Sequence, residues 1–152
     1  MQPTESHKKI ISRIAGNCLS VRLRLMNRLI TRIFDEAARP HGIKASQLTI
    51  LVAISGFERT TSRQLCRALH MDSSTFSRTL AILKKNNWVH TEPSGEGKIL
   101  RIEVTKEGYD KIQAVYPDWE KAQEKAMAVL GESTSETIIA AGTRHLLGGM
   151  TI

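Results

Sequence analysis

The chain has little of what would indicate a disulfide framework, a membrane anchor or secretion. It contains two cysteines among 152 residues, Cys18 and Cys66, and they form no CxxC pair. Both lie in periodic apolar segments, where a cysteine usually behaves as a small buried hydrophobe, so a reducing cytoplasm is the expected compartment. The sequence has no apolar run of about 18 residues, and Arg13 interrupts its first apolar stretch. Neither a membrane span nor a signal peptide is therefore predicted.

Patterns that accompany catalysis or metal binding are also missing. The sequence has no GxSxG motif, no phosphate-binding glycine loop and no carboxylate pair set apart from surface charge. Its histidines are scattered without an HxxxH or Cys/His pairing: His7, His41, His70, His90 and His145. The sequence therefore predicts no enzyme activity, no cofactor and no metal.

Positive charge is abundant but unevenly distributed along the chain. The net charge is +7, and residues 1–44 carry nine Lys and Arg against three Asp and Glu. Residues 61–104 carry seven against four, whereas residues 105–152 carry five against seven. A cationic surface favours a polyanionic partner such as nucleic acid. The acidic balance of the last third makes that part a poor candidate for phosphate contact.

Apolar spacing predicts one mainly helical domain. Steps of three and four residues predict helices over residues 5–38, 46–55 and 106–130 and from about residue 133 onward. The first is a single long helix whose broad apolar surface suggests contact with its own domain and with a second subunit. Ser46, Thr105 and Ser133 are the predicted caps of the other three, and Gly131 is a terminator. The second helix is expected to face inward with Leu48, Leu51 and Val52.

Two shorter helices and a hairpin lie between the long elements. Thr61 and Gln64 have capping-box spacing at the start of a two-turn helix. The next helix begins near Asp72 and ends at Asn86, with Asn87 as a left-handed terminator. A hairpin then follows over residues 88–104, with these side chains facing the core: Leu100, Ile102 and Val104. Two tightly joined helices followed by a hairpin are typical of a winged helix-turn-helix.

The helix over residues 72–86 has two faces of different chemistry. Its core face is formed by Phe76, Leu80 and Leu83, which fall within about 60° of one another. The opposite face consists of Ser74, Arg78, Ala81 and Lys85, flanked by Thr75 and Ser77. Small hydroxyl side chains allow close approach to base edges, arginine pairs with guanine and lysine meets phosphate. The pattern predicts major-groove contact; the alternative is a solvated face whose serines act only as caps.

Several segments together resemble the MarR/SlyA family of winged helix-turn-helix regulators. They are TSRQLCRAL at 61–69, DSSTFSRTLAILKKNNWV at 72–89 and VTKEG at 104–108, with GIKASQL at 42–48 upstream. The similarity covers roughly residues 20–130. It implies an α+β fold, mainly α, with a winged helix-turn-helix lobe over residues 44–104. Residues 5–38 and 106–148 would form a helical dimerisation region.

The resemblance also implies a partner and site residues. The helix over residues 72–85 would enter the major groove of a pseudo-palindromic operator, and the hairpin, a two-stranded wing, would enter the minor groove. The DNA-binding residues implied are Thr61, Ser62, Ser73, Ser74, Thr75, Ser77, Arg78, Lys84, Lys85 and Lys98. The chain would be a homodimeric repressor released by a small, aromatic ligand in a cleft with Phe34, His41, Tyr116 and Trp119. Core or dimer packing is the alternative interpretation of those four side chains.

Two features depart from the family pattern, and two other functions stay open. The wing tip carries Glu96 and Lys98 where the family has aspartate and arginine, and lysine lacks the planar fork that suits a narrow minor groove. Asn87 replaces the glycine expected after the recognition helix. A redox-responsive regulator acting through Cys18 is one alternative, although a buried structural thiol is favoured there. The other is a winged-helix module that binds protein instead of DNA.

Overall fold

Seven α-helices and a small antiparallel sheet make up the part of the chain that the computed structural model describes, residues 2–57, 60–94 and 100–146. The helices are α1 Glu5–Asn17, α2 Leu19–Ala38, α3 Ala45–Ser55, α4 Ser62–Ala68, α5 Ser73–Lys85, α6 Lys106–Leu130 and α7 Glu132–Leu146. The strands are β1 Thr60–Thr61, β2 Val89–Pro93 and β3 Leu100–Val104, and a 3-10 turn, Arg39–His41, follows α2. No described helix combines the length and the apolar character needed to cross a membrane. The expected mainly helical winged-helix fold is confirmed.

The N-terminal helix is broken, which corrects the prediction of one continuous helix over residues 5–38. Cys18 has extended backbone angles, φ −72° and ψ 108°, and separates α1 from α2. Gly16 and Asn17 precede the break, and both have low helix propensity. The Arg22 guanidinium donates to the Ala15 carbonyl at 2.7 Å and so satisfies one of the carbonyls left free at the end of α1. The apolar spacing continues across the break, which is why periodicity alone did not reveal it.

Helix α3 begins one residue earlier than predicted, and Ser46 does not cap it. The Lys44 amide donates to Gln47 Oε1 at 2.9 Å, and the Ala45 amide donates to Asp35 Oδ1, also at 2.9 Å. A carboxylate from the end of α2 therefore does the work expected of the Ser46 hydroxyl. The prediction that Val52 faces inward is also wrong, since its side chain is 45% exposed.

The sheet has a third strand that the sequence did not reveal, so the predicted two-stranded wing is incomplete. β3 lies in the middle and pairs antiparallel with both β1 and β2. Ile102 is opposite Thr60 on one side and Thr91 on the other, and it is 1% exposed. Leu100 was expected in the core but is 43% exposed, because it lies beyond the end of the two-residue β1.

The caps of the two C-terminal helices follow the prediction in part. Thr105 Oγ1 accepts from the Gly108 amide at 3.0 Å, and Gly131 ends α6 with φ 82°. Helix α7 begins at Glu132, so Ser133 lies in its first turn instead of capping it. Ser135 is buried and donates its hydroxyl to the Gly131 carbonyl at 2.8 Å. The change of direction between α6 and α7 is thus fixed by one glycine and one serine.

The core lies between the helix-turn-helix, the sheet and the first half of α6. Its fully buried side chains include Ile50, Leu51, Ile54, Leu65, Phe76, Leu83, Ile102 and Val115. Leu69 and Leu80, predicted to be core residues, are only partly buried against this cluster. Helix α1 has no buried residue. The lobe that presents α5 is therefore held together by the chain itself.

Candidate nucleic-acid interface

Helix α5 presents the two faces that the sequence predicts. Phe76 and Leu83 are completely buried, while Leu80 is partly buried. On the opposite face all four predicted side chains are turned away from the core, and so are the two that flank them: Ser74, Thr75, Ser77, Arg78, Ala81 and Lys85. The burial of one apolar edge thus turns a row of small hydroxyls and two cations outward. Such a surface fits against base edges and phosphates in a major groove.

The N-terminus of α5 is closed by its own carboxylate. Asp72 Oδ1 accepts from the Ser74 hydroxyl at 2.6 Å and from the Thr75 amide at 2.8 Å. These bonds, with that of Ser74 the strongest, hold the pKa of Asp72 well below its usual range. Because an ionised side chain already occupies this helix end, free phosphate is disfavoured there. The side chains of Ser73, Ser74 and Thr75 are exposed at this end of the helix.

The turn between α4 and α5 is tight and uses a residue that was not singled out. Thr61 and Gln64 form the predicted capping box, with the Gln64 amide donating to Thr61 Oγ1 at 3.3 Å and the Thr61 amide donating to Gln64 Oε1 at 2.9 Å. His70 then has a positive φ of 49°, a backbone region that few residues other than glycine adopt. The predicted left-handed Asn87 is confirmed, with φ 57°.

Helix α4 adds two cations that sequence reasoning missed. Arg63 and Arg67 border a shallow groove between α4 and α5, together with Ser62, Ser73 and Ser77. They are four residues apart, so they lie on one side of α4. That spacing, directly after the capped Thr61, is the signal that could have identified them. The groove joins three predicted DNA-binding serines into one surface.

Two of the remaining predicted DNA-binding residues lie at the C-terminal end of α5. Lys84 and Lys85 are exposed in the last turn of the helix. Lys98 and Glu96 lie outside the described residues. At the base of the wing, Arg101 on β3 donates to the Ser94 carbonyl at 3.5 Å and lies 3.9 Å from Glu92 of β2. Arg101 is therefore directed along the hairpin.

A close contact joins the end of α5 to the start of α6. The Thr105 hydroxyl donates to the Asn87 carbonyl at 2.6 Å, and the Thr105 amide donates to the Trp88 carbonyl at 3.1 Å. Gly108 lies so close to Trp88 that a Cβ at this position would overlap the Trp88 carbonyl oxygen. The glycine therefore permits α6 to lie directly against the segment that connects the recognition helix to the wing.

Lys111 extends this contact to the turn that follows α2. Its Nζ donates to the His41 carbonyl at 2.8 Å and lies 5.2 Å from the centroid of the Trp88 ring. A lysine ammonium at this distance over an indole is within the range of a cation–π interaction. One side chain thus connects the 3-10 turn, α6 and the beginning of the wing.

A second feature is an apolar cavity between α2, α3 and α6, with a volume of about 610 Å³. Its lining consists of Ile30, Thr31, Phe34, Ala37, Ala38, Ala45, Ser46, Leu48, Thr49, Val52, Ile112, Val115, Tyr116 and Trp119. Trp119 stacks on Tyr116 with ring centroids 6.0 Å apart and meets Phe34 at 6.3 Å. Three of the four aromatic or histidine residues predicted for a ligand cleft therefore form one wall.

His41, the fourth residue predicted for that cleft, does not line the cavity. Its Nε2 lies 3.0 Å from Asp118 Oδ2. Asp118 also accepts from Lys121 at 2.9 Å. The bond from Lys121 and, to a smaller extent, that with His41 keep the pKa of Asp118 below its usual value. The resemblance located His41 near the end of a long helix, but the position of a residue in a turn does not fix the direction of its side chain.

The two cysteines differ in their surroundings. Cys18 lies at the break between α1 and α2 and is partly exposed, and the Arg22 guanidinium that follows it is bonded to Ala15. Cys66 lies in the groove beside Ser62 and Ser77, where burial raises the pKa of its thiol. Among the described residues, no three His, Cys, Asp or Glu side chains group closely enough to hold a metal ion.

The central part of the chain is similar in sequence to known transcriptional regulators. Residues 41–98 match the model of the MarR family. The chain is 24% identical over 109 residues to YwoH of Bacillus subtilis strain 168, an uncharacterised HTH-type transcriptional regulator, over 72% of this chain and 80% of that protein. Residues 41–98, which match the family model, contain α3, β1, α4, α5 and β2.

Solved structures agree with this match. The fold is similar to that of a mutant form of E. coli MarR in complex with operator DNA, with a TM-score of 0.76 at 18% identity, over 87% of this chain and 96% of that one. It is also similar to the M. tuberculosis transcriptional regulator MosR in complex with DNA, with a TM-score of 0.72 at 24% identity, over 84% and 96%. At these identities the likeness establishes the winged-helix fold.

Proposed function

We propose that this chain, whose residues 41–98 match the MarR family model, is a MarR-family transcriptional regulator and acts as a homodimeric, sequence-specific repressor that a small ligand releases from its operator. α5 would enter the major groove, with Arg78 reading a guanine and Lys84 and Lys85 meeting phosphate. The paired half-sites would lie about one helical turn apart on a pseudo-palindromic duplex. We expect the protein to act in the cytoplasm, because a regulator must reach chromosomal DNA.

The observation that carries this proposal is the exposed polar face of α5. Phe76 and Leu83 fix the helix against the core, so Arg78 and Ser77 project away from it on a rigid element. Arg63 and Arg67 extend the cationic surface alongside, on α4. Two proteins of similar fold, MarR of E. coli and MosR of M. tuberculosis, have been crystallised with DNA. This supports the same type of partner here.

The exposed apolar residues of the terminal helices support the homodimer. They are Ile10, Ile11 and Ile14 on α1, Leu19, Val21, Leu23, Leu25 and Leu29 on α2, and Ile138 and Ile139 on α7. Monomeric proteins rarely leave so extended an apolar surface in water. In a two-fold symmetric dimer, the exposed apolar residues of one copy would pack against the same residues of the other copy, so the apolar surfaces of both copies would be covered. The two α5 helices would then be carried at a fixed separation.

The cavity supports the ligand response. It lies between α2 and α6, the helices proposed for dimerisation, and α3, which belongs to the DNA-binding lobe. A ligand bound in the cavity would shift the position of the DNA-binding lobe relative to the dimerisation helices only if it bound one of two conformations more tightly than the other. Phe34, Tyr116 and Trp119 are the proposed contacts.

The experiment is a selection of bound sequences from a random DNA pool, followed by affinity measurements on the selected site. Arg78→Ala should lower the preference for that site over a one-base variant by about 1–3 kcal/mol, because a bidentate contact with guanine is lost. Arg32→Ala, on α2, removes an equal charge outside the interface and serves as the control. Arg78→Ala discrimination equal to the wild type would remove α5 from the proposed role.

Transcription of a template carrying the selected site tests the sign of regulation. Added protein should reduce the transcript, and an increase would contradict repression. Enrichment of no sequence from the pool would instead support a protein-binding module.

A further inference from the structure

We infer that the cavity between α2, α3 and α6 selects an uncharged, planar, largely apolar molecule and rejects carboxylates of the same shape. This inference rests on the proposed ligand response and adds the charge class of the ligand. The volume of the cavity, about 610 Å³, lies within the range of small-molecule sites, roughly 300–1,000 Å³. The site therefore suits a compact ligand of one or two fused rings.

The lining explains the preference for an apolar ring system. Nine of the fourteen side chains are pure hydrocarbon, and Trp119 adds an indole whose only polar group is one N–H. Tyr116, Trp119 and Phe34 form a continuous aromatic wall, in which Tyr116 and Trp119 are nearly parallel at 19°. A flat ligand can stack against such a wall, and aromatic pairs prefer offset stacked or tilted contacts.

The four hydroxyl groups of the lining, on Thr31, Ser46, Thr49 and Tyr116, define how a polar substituent could be held. Thr49 Oγ1 donates to the Ala45 carbonyl at 3.0 Å, and the Tyr116 hydroxyl donates to Glu120 Oε1 at 2.7 Å. Both oxygens are left to accept hydrogen bonds, so they favour a ligand that donates, such as an amide or a hydroxyl.

The charges around the cavity oppose a carboxylate. No lysine, arginine or histidine is among the described residues that line it. The ionised groups bonded to the lining are acidic: Glu120 on Tyr116, and Asp35 on the Ala45 amide. Lys111 is next to the lining residue Ile112, but its ammonium is held by the His41 carbonyl and the Trp88 ring. A carboxylate bound there would lose part of its hydration without gaining a cationic partner among the described lining residues.

Three probes that share one ring system test the inference on the full-length protein: 1-naphthamide, 1-naphthoate and 1-naphthylmethylammonium. Isothermal titration calorimetry at neutral pH should give a dissociation constant for the amide at least about tenfold below that of either ion, a difference near 1.4 kcal/mol. The affinity of naphthoate should rise as the pH is lowered, because its neutral acid form enters. The affinity of the amide should not change.

A charge placed in the lining should reverse the selectivity. Thr49→Lys adds an ammonium at an exposed position in the lining, so the ratio of naphthoate to naphthamide affinity should increase at least about tenfold. Gln113→Lys adds the same charge on an exposed part of α6 away from the lining and should leave the ratio unchanged. A loss of folding alone would weaken both probes together and would not move the ratio.

Binding of naphthoate or the ammonium as tightly as the amide would overturn the inference. Absence of binding by all three probes would also overturn it, and would favour a larger occupant such as α1 of a second copy. Operator binding is measured on the same preparation. Intact operator binding with failed selectivity removes only the ligand class, whereas lost operator binding removes the proposed function.

Discussion

The DNA-binding lobe and the terminal helices differ in how they cover their apolar side chains. Between Ala38 and Val115 most of the large apolar residues pack on one another in a single cluster. In α1 no residue is buried, and in α2 only Ile33 and Ala38 are. Both regions have helical apolar spacing, so spacing alone does not say what covers a face. The lobe is completed by its own chain, whereas most apolar residues of α1 and α2 are not covered by it and would be covered in the proposed dimer.

The largest effect should separate these two kinds of apolar residue. Leu51→Ala removes a completely buried side chain and should lower the free energy of unfolding by about 2–5 kcal/mol at every protein concentration. Leu25→Ala changes an exposed residue of α2 and should weaken the proposed dimer. It should therefore lower the free energy of unfolding only at protein concentrations at which the dimer forms. Urea denaturation at several concentrations, with sedimentation analysis, measures both. A concentration-independent loss in Leu25→Ala would contradict the comparison.

The second effect concerns the contact between the two regions. Gly108→Ala places a methyl group against the Trp88 carbonyl and should lower the free energy of unfolding by about 1–3 kcal/mol, as overpacked sites do. Gly16→Ala is the matched control, because nothing lies within 4 Å of a Cβ there. It should instead stabilise its helix by about 0.5–1 kcal/mol. In thermal melts, the melting temperature should fall in Gly108→Ala and rise in Gly16→Ala. A change in the same direction in both variants would exclude the close approach to Trp88 as the cause.

A smaller effect is expected from the side chain that ties the turn after α2 to the wing. Lys111→Met keeps the aliphatic stem and removes the ammonium from the His41 carbonyl and the Trp88 ring. We expect a loss of about 1–2 kcal/mol in the free energy of unfolding and a shift in Trp88 fluorescence. Lys125→Met, exposed on the same helix, should change neither. If both variants behave alike, the contact contributes nothing.

The smallest effect is a dependence on pH at the start of α5. The pKa of Asp72 is lowered in the folded protein by its bonds to Ser74 and Thr75. These bonds therefore stabilise the fold fully when the pH is above 3.8, the ordinary pKa of an aspartate. That contribution is lost as the pH falls below this value towards the lower folded pKa. Asp72→Asn keeps an acceptor for the cap but does not titrate. The difference in melting temperature between wild type and variant should shrink from pH 5 to pH 2, and a constant difference would contradict it.

Features set by neighbouring residues could be predicted from the sequence. The cap at Thr61, the left-handed Asn87 and the terminator Gly131 depend on spacings of one turn or less, so they are visible without the fold. The buried Phe76 and Leu83 follow from helical geometry. The resemblance to a known family added Phe34, Tyr116 and Trp119, which do share a cavity wall.

Features set by distant residues could not. Asp35 takes the capping role expected of Ser46 because the end of α2 happens to lie beside the start of α3. Strand β1 has only two residues, too short for an alternating pattern, and exists because β3 offers it a free edge. The partnership of His41 with Asp118 joins residues far apart in the chain. Each depends on how helices pack, which spacing does not record.

The pairing of Thr60 with Ile102 has a kinetic consequence. It joins positions that are separated by the whole of α4, α5 and β2, so making it early would close a long loop at a large cost in chain entropy. We expect α4 and α5 to form first from local contacts, and the sheet to close afterwards. During folding the recognition helix would therefore be present before the strand that fixes the base of the wing.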